Sequence, residues 1–386
     1  MNPTKHLLVI GGPTASGKTA FAIRLAQHFG APIVSADSRQ FYRELNIGAA
    51  KPSAEELAQA PHYLIDSLHI GQEYSVGAFE REALALLERL FAQHDLVILA
   101  GGSGLYIQAL CEGLDEFPVV PLEVRQGVEA FFQEQGLAGL QEELRRIDPA
   151  YYGMVDRQNP HRLIRAIAVY RVSGQPYSSF RGSTRVPRFF QPVYLQLHWS
   201  RAELYARIDQ RVAAMMEQGL LEEARSLYPH RHETALQTIG YQELFQHFDG
   251  ALSLEEAVAL IQRNSRRYAK RQLTWYRREG HWKRFAPADW ALALEYIAAA
   301  RQQGWVFRYR ASAPFPSFCA LSAQGQFVWL ERAGHPLAWL SLQEKKDGVL
   351  VQGPFASGSP SDFPLAARLL LHEAQAASEG RPLSFQ

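Results

Sequence analysis

The 386-residue chain has only two cysteines, Cys111 and Cys319, far apart and in no metal-binding or redox spacing. Neither a disulfide framework nor a zinc site is indicated. No apolar run approaches the roughly 20 residues needed to span a bilayer, which argues against a membrane helix. Low-complexity segments and evident internal repeats are lacking. So is an excess of either charge: 40 Lys and Arg stand against 39 Asp and Glu, a net +1. Total charge therefore says nothing about partners, and only its distribution does. An apolar strand and a glycine-rich loop begin within the first dozen residues, so no signal peptide is expected. The plain reading is a soluble, cytoplasmic protein, with a monomer expected.

What is present is a globular composition, 47% hydrophobic and 20% charged, in a chain long enough for two or three units. Four short apolar runs read as parallel strands: Leu7–Ile10, Ile33–Ser35, Tyr63–Ile65 and Leu96–Ala100. A fifth follows much later, at Val193–Trp199. The stretches Thr19–Phe29 and Phe79–Phe91 have helical spacing, so the class is α/β, a doubly wound parallel sheet of the P-loop NTPase-like type. Residues 118–189 read as a helical insertion, with 124–147 its clearest amphipathic segment. The catalytic core is then discontinuous, 1–117 and 190–304. Residues 305–386 read as a separate small α+β unit, with strands in "GQFVWLE" and "DGVLVQGPF" and a closing helix in "PLAARLLLHEAQAA". Its seven basic and six acidic residues offer no electrostatic footprint for nucleic acid, and Trp329 and Trp339 read as parts of a small core.

The sharpest motif is "GGPTASGKT". Gly12-x4-Gly17-Lys18-Thr19 follows a strand and opens a helix, the phosphate-loop pattern. Residues Gly12, Pro13, Thr14, Ala15, Ser16, Gly17, Lys18 and Thr19 form the expected diphosphate grip. Inward-turned amides and a helix N-terminus attract the anion, Lys18 neutralises it, and the Thr19 hydroxyl is placed to ligate Mg²⁺. The motif identifies a grip, not a reaction. The strand ending Ala100-Gly101-Gly102-Ser103 brings no carboxylate for a second Mg²⁺ ligand, which disfavours a motor or switch ATPase. A small-molecule kinase or ATPase using ATP stays open at this point, as does an RNA-binding protein with an inactive loop. Asp37, just beyond the second strand, reads equally as a metal ligand, a general base or a helix cap. Nearby Gln40 carries the donor and acceptor that base-edge recognition requires.

Between residues 263 and 284 there are nine Lys and Arg against one acid, Glu279. At about 100° per residue, the seven from 263 to 278, including Arg267, Lys270 and Arg271, fall within less than half of a helix circumference. Tyr268, Trp275 and Tyr276 are interleaved with them. Such a ridge suits a polyanion.

The motifs "GPTASGKT", "DSRQFYRELNIGAAKP", "PHYLID", "YSVGAF", "GGSGLY", "RIDQR", "ALQTIGYQE" and "YAKRQLTWYRR" occur in that order over roughly residues 5–285. Together they resemble the tRNA dimethylallyltransferases (tRNA isopentenyltransferases). The resemblance implies that dimethylallyl diphosphate occupies the loop, with Mg²⁺ as cofactor. Its five-carbon group passes to N6 of the adenine 3′ to the anticodon. It further implies Asp37 as general base, Arg211 and Thr19 at the diphosphate, and Ser38, Arg39, Gln40 and Ser103 at the target nucleotide. Ser103 stands where the family usually has threonine. Arg125 and the segment His161, Arg162, Leu163, Ile164 and Arg165 match family contacts to the anticodon stem-loop. Within that segment Leu163 and Ile164 read as core by their apolarity, and His161 departs from the glutamine or arginine usual there.

Overall fold

Strand β1 (His6–Gly11) is buried along its whole length, as expected of a central parallel strand. The computed structural model describes residues 4–182, 187–279, 281–310, 326–332, 335–345, 348–356, 363–378 and 383–385. After β1 come α1 (Lys18–Phe29), β2 (Ile33–Ser35), α2 (Ala54–Leu57), β3 (His62–Tyr63), α3 (Val76–Phe91), β4 (Leu96–Ala100) and α4 (Gly104–Glu112). Helices α5 (Leu122–Ile147), α6 (Pro149–Tyr152) and α7 (Pro160–Ser173) follow. The chain then returns through β5 (Gln191–Leu197), α8 (Arg201–Glu217), α9 (Leu220–Leu227), α10 (Tyr241–Phe248), α11 (Leu254–Glu279) and β6 (Lys283–Phe285).

These six strands form one sheet in the order β3-β2-β4-β1-β5-β6, every pair parallel. Alternation along β1 sends Leu8 and Ile10 into the core that α1 covers, and Leu7 and Val9 into the core that α3 and α4 cover. The expected third strand is the one that shrinks. Leu64 and Asp66 take left-handed φ values of 58° and 56°, which ends β3 at Tyr63. Helix α3 starts three residues before the expected Phe79, because the Ser75 hydroxyl caps it by accepting from the Ala78 N–H. Among the described residues no helix is long and apolar enough to cross a membrane.

By contacts the chain divides into residues 1–111 with 188–386, and residues 112–187. The second unit, somewhat offset from the expected 118–189, has its own core of Val128, Leu140, Leu144, Ile147, Leu163, Ile164 and Ile167. Helix α5 is not one amphipathic rod: Gly136, at φ 64° and ψ −166°, breaks it into two segments. Buried Asp148 joins the start of α6 to the 177–180 turn beyond α7, accepting from the Tyr151 N–H at 2.9 Å and from the Ser178 N–H and hydroxyl at 2.7 Å each.

Residues from 305 onward form α+β structure, but not the separate unit expected. Helix α12 (Trp290–Gln303) leads into β7 (Trp305–Arg310), β8 (Gln326–Arg332), β9 (His335–Lys345), β10 (Gly348–Ala356), α13 (Phe363–Ser378) and β11 (Leu383–Phe385). The sheet order is β11-β10-β9-β8-β7. Its inner face of Phe307, Val328, Leu330, Leu340 and Leu342 joins the same apolar cluster as Ile10, Leu195, Phe285 and Tyr296 of the core. A shared core is why the tail groups with the first unit. Trp329 and Trp339 do not form that core. They pair across β8 and β9 on the other face and are half-buried, because alternation assigns the inner face to their neighbours. Cys319 and several of the charged residues counted in the tail lie outside the described residues.

The sheet permits no side chain where β4 turns toward the site. A Cβ on Gly101 would lie 2.2 Å from the carbonyl oxygen of Ala36, a backbone atom that cannot step aside. Gly101→Ala is expected to cost about 3 kcal/mol by overpacking. Gly71→Ala, where nothing lies within 4 Å, is expected to stay within about 0.5 kcal/mol. Thermal denaturation of the two variants measures the difference.

Candidate functional site

The site is built from the carboxyl ends of β1, β2 and β4, where parallel α/β sheets place their ligands. The phosphate loop is held by its carbonyls. Lys18 Nζ donates to Gly12 O at 3.0 Å and Pro13 O at 2.9 Å. Arg207 Nε donates to Ala15 O at 2.8 Å, and Trp199 Nε1 to Ser16 O at 2.9 Å. Arg207 also lies over the Trp199 ring, 4.3 Å from its centroid. Tying the carbonyls this way leaves amides to face inward. The geometry requires Ala15 at φ 63°, a left-handed conformation costing roughly 1–3 kcal/mol in a residue with a Cβ. Helix α1 has no side-chain cap at Gly17, so its first N–H groups have no such competitor for an anion. The buried Ser16 hydroxyl has no hydrogen-bond partner among the described residues.

A cavity of about 470 Å³ opens above this loop. Thr14 through Thr19, Asp37 through Gln40, Arg211, Tyr268, Arg271 and Gln272 are among the residues lining it. Burial pushes the Lys18 ammonium down to about 8, with Asp37 opposing the shift and Arg211 adding to it. Burial also lowers Arg211, again against the attraction of Asp37. Two cations and one carboxylate thus share a poorly solvated space. Burial and then Asp37 push the Tyr268 hydroxyl up to about 12, so it is a neutral donor at physiological pH.

Asp37 is not simply a cap. Its Oδ1 accepts from the Arg39 N–H at 3.0 Å in a local turn, and the carboxylate borders the cavity. Ser103 accepts from the Ser38 N–H at 3.1 Å, and its hydroxyl lies 3.3 Å from that of Ser38. It therefore braces the Asp37 turn. Arg39 donates to the Ala235 carbonyl at 3.0 Å. The Gln40 amide is held at both ends: it accepts from the Ser35 hydroxyl at 3.0 Å and donates to Ala50 O at 3.2 Å. Gly12 and Pro13 sit buried beneath the cavity and act through the carbonyls that hold Lys18. The Thr14 N–H is not among the open amides, since Gln272 Oε1 accepts it at 2.9 Å.

Several supporting residues were not singled out from the sequence. Gln272 Nε2 donates to Gly102 O at 2.9 Å, so this one amide ties α11 to both the phosphate loop and the β4 turn. Trp199 and Arg207 hold the loop carbonyls. The Glu223 carboxylate gathers the wall at residues 46–48, accepting from the N–H groups of Asn46, Ile47 and Gly48 at 3.3, 2.8 and 3.0 Å and from the Tyr241 hydroxyl at 2.6 Å. The only signal for Gln272 is its place on the apolar side of a helix whose other side is basic.

On α11 the ridge is real on its outer face: Arg263, Arg267, Lys270, Arg271, Arg277 and Arg278 are exposed. Arg266 is the exception, paired with Asp209 of α8. The interleaved aromatics turn the other way. Tyr276 is buried, Trp275 half-buried, and Tyr268 borders the cavity, so they brace the site instead of presenting a stacking surface.

In the other unit, His161, Arg162 and Arg165 are exposed along α7, Arg165 lying 5.4 Å from the Phe117 ring centroid. Arg125 is exposed and paired with Glu129 at 2.9 Å. The side chains of Leu163 and Ile164 turn away from the surface that the three polar residues share. They are 0% and 8% exposed inside the α5–α7 core, as their apolarity implied.

The chain is similar to known proteins along most of its length. The family model described as IPP transferase matches residues 40–279. A tRNA dimethylallyltransferase of Cytophaga hutchinsonii is 46% identical over 299 residues, covering 78% of this chain and 98% of that protein. Among solved structures, the tRNA isopentenylpyrophosphate transferase of Bacillus halodurans is 34% identical over 77% of this chain and 96% of its own, with a TM-score of 0.57. A eukaryotic dimethylallyltransferase, 23% identical with a TM-score of 0.66 over 77% of this chain, shares the fold.

The depressed Lys18 ammonium yields a pH dependence. Its charge is present below about 8 and lost as the pH rises through that value. Affinity for inorganic diphosphate is therefore expected to fall between pH 7 and 9 more steeply than for Lys18→Arg, whose cation persists. Isothermal calorimetry of both proteins across that range checks it; parallel curves would mean that Lys18 does not titrate there.

Proposed function

The chain belongs to the IPP transferase family, and on that premise we propose that the 470 Å³ cavity is where dimethylallyl diphosphate meets a tRNA adenine. The reaction is dimethylallyl transfer to tRNA, with loss of diphosphate. The proposed acceptor is N6 of the adenine 3′ to the anticodon. A single observation supports it best: an anion grip and a carboxylate border the same small chamber.

The adenine amine is a weak nucleophile because its lone pair is delocalised into the ring. As the new C–N bond forms and the allylic C–O bond breaks, Asp37 accepts the amine proton. Negative charge develops on the departing diphosphate. Lys18, Arg211 and the inward loop amides stabilise it in a space where few waters compete. The orphaned Ser16 hydroxyl supplies a further donor.

Mg²⁺ fits the donor set in the manner of a cation that takes most ligands from substrate phosphates and water. The Thr19 hydroxyl borders the cavity, and no cluster of three His, Cys, Asp or Glu able to hold a metal occurs among the described residues. Bound with the substrate, Mg²⁺ would neutralise charge on the leaving group.

To enter such a chamber the adenine must leave its stack. The exposed α11 cations, with Arg125, His161, Arg162 and Arg165 of the insertion, are the proposed contacts to the anticodon stem-loop. Ser35 and Ala50 hold the Gln40 amide at the cavity edge, and its second N–H and second lone pair are the groups proposed to read the base. The tRNA substrate supports a cytoplasmic location.

The deciding experiment supplies protein, Mg²⁺ and unmodified tRNA with labelled dimethylallyl diphosphate or labelled ATP. Label is expected in tRNA only from the prenyl donor, and ATP turnover without prenyl transfer would return the kinase reading. In the same assay Asp37→Asn is expected to lower kcat by about 10²–10⁴-fold with tRNA affinity unchanged. Replacing Arg267, Lys270 and Arg271 together by Ala is expected to flatten the salt dependence of tRNA binding by about 2–3 units in the log–log slope. An unchanged slope, measured by filter binding, would leave the ridge as a solvated surface.

A further inference from the structure

Strand β6 has three residues, pairs on one side only with β5, and forms the edge of the main sheet. A short edge strand of this kind is weakly held by its ladder alone. Helix α13 of the carboxyl-terminal segment supplies the missing restraint through Glu373, which is 1% exposed. Its Oε2 accepts from Lys283 Nζ at 3.1 Å and from the Arg284 N–H at 3.3 Å, and its Oε1 accepts from Arg284 Nε. Lys283 is fully buried, and its Nζ also lies 3.0 Å from His372 Nδ1. Opposite, His372 Nε2 lies 2.8 Å from Asp289, whose carboxylate accepts from the Ala286 N–H at 2.6 Å. Burial alone would push the Glu373 carboxyl up, but Arg284 and Lys283 outweigh it and hold it down at about 2.

Immediately before this clamp comes Trp282, 4% exposed, with its ring edge-on to Tyr276 at 4.7 Å between centroids. These two rings press on the root of the phosphate loop. A Cβ on Gly11 would lie 2.4 Å from the Trp282 ring and 2.8 Å from that of Tyr276. The Tyr276 hydroxyl is 3.5 Å from both Gly12 O and Gly101 O. Glu373, Arg284, Trp199, Tyr276 and Trp282 all line one cavity of about 220 Å³. Trp282 directly precedes β6, so the anchoring of that strand bears on its ring and, through the ring contact, on Tyr276.

We propose that Glu373 is a positioning residue for the diphosphate step: by clamping β6 it holds Trp282 and Tyr276 against the phosphate loop. The carboxyl-terminal segment thereby acts on the reaction without touching substrate. This inference rests on the reading of the loop as a diphosphate cradle.

The test uses the full-length chain and two ligands, inorganic diphosphate with Mg²⁺ and an anticodon stem-loop RNA. Glu373→Gln keeps the shape and removes the charge that holds Lys283 and Arg284. It is expected to weaken diphosphate binding about tenfold while stem-loop affinity stays within twofold. Glu373→Asp keeps the charge, withdraws it by one methylene, and is expected to fall between the two proteins. A merely structural role would lower both affinities together, in proportion to the unfolded fraction. Should the Gln variant melt below the assay temperature, the Asp variant decides: a smaller loss confined to diphosphate supports the proposal, and wild-type affinity overturns it. A folded Glu373→Gln protein that binds diphosphate as tightly as wild type overturns it as well. Failure of the wild-type protein itself to bind diphosphate would instead sink the cradle reading, and this inference with it.

Discussion

The side-chain amide of Gln272 is the contact on which the site's geometry turns. It accepts from the Thr14 N–H and donates to Gly102 O, both at 2.9 Å, and so fixes the phosphate loop and the β4 turn to one helix. Gln272 is 7% exposed, where an unpaired amide would be costly, so both halves of the bridge are made. Helix α11 is consequently more than a carrier of cations. Its inner side of Ala269, Gln272 and Tyr276 fixes the floor of the cavity, and its outer side carries the exposed Arg and Lys. At 26 residues it is about 39 Å long. One rigid element therefore sets both the electrostatic approach and the catalytic floor.

The cavity itself is held by opposed charges. Lys18 and Arg211 repel one another, and both are penalised by burial, while Asp37 offsets part of that cost. Such an arrangement is poorly satisfied as it stands. It suits an anion, whose arrival compensates the two cations without requiring Asp37 to neutralise them. On the proposed reading the carboxylate is then available to the amine, which gives a physical reason for the proposed grip and the proposed base to share one small space.

Much of this was legible in the sequence, because the signals are local. The phosphate loop declares itself within nine residues, since its spacing follows from the turn it must make. The strands β1, β2, β4 and β5 read directly as apolar runs, and the basic ridge as a period on one helix. What could not be read depends on contacts between distant positions. Gln272 meets Thr14 across 258 residues and Trp199 meets Ser16 across 183, and nothing in either local stretch announces the pairing. Glu223 looks like a solvated helix acid until the loop at 46–48 is folded against it. Proximity in sequence misled in the opposite way at residues 161–165, where consecutive residues share a motif but not a face: Arg162 and Arg165 point out and Leu163 and Ile164 point in. The tail read as separate because its texture changes at 305, whereas its apolar face completes a core that the main sheet had left open.

The wall at residues 46–48 has a consequence for how the enzyme can vary. Glu223 grips it by main-chain N–H groups, which every residue but proline possesses. The grip itself is thus indifferent to the side chains of Asn46 and Ile47, which are held by other contacts: Asn46 Oδ1 accepts from Lys51 Nζ at 3.2 Å, and Ile47 packs against the apolar cluster of Leu220, Leu236 and Tyr241. Position 48 is constrained in a different way, because a Cβ there would lie 2.5 Å from the Tyr241 ring. Glu223 thus fixes this stretch through its backbone, and Gly48, the one of the three that borders the chamber, is where an added side chain would push the wall out of place.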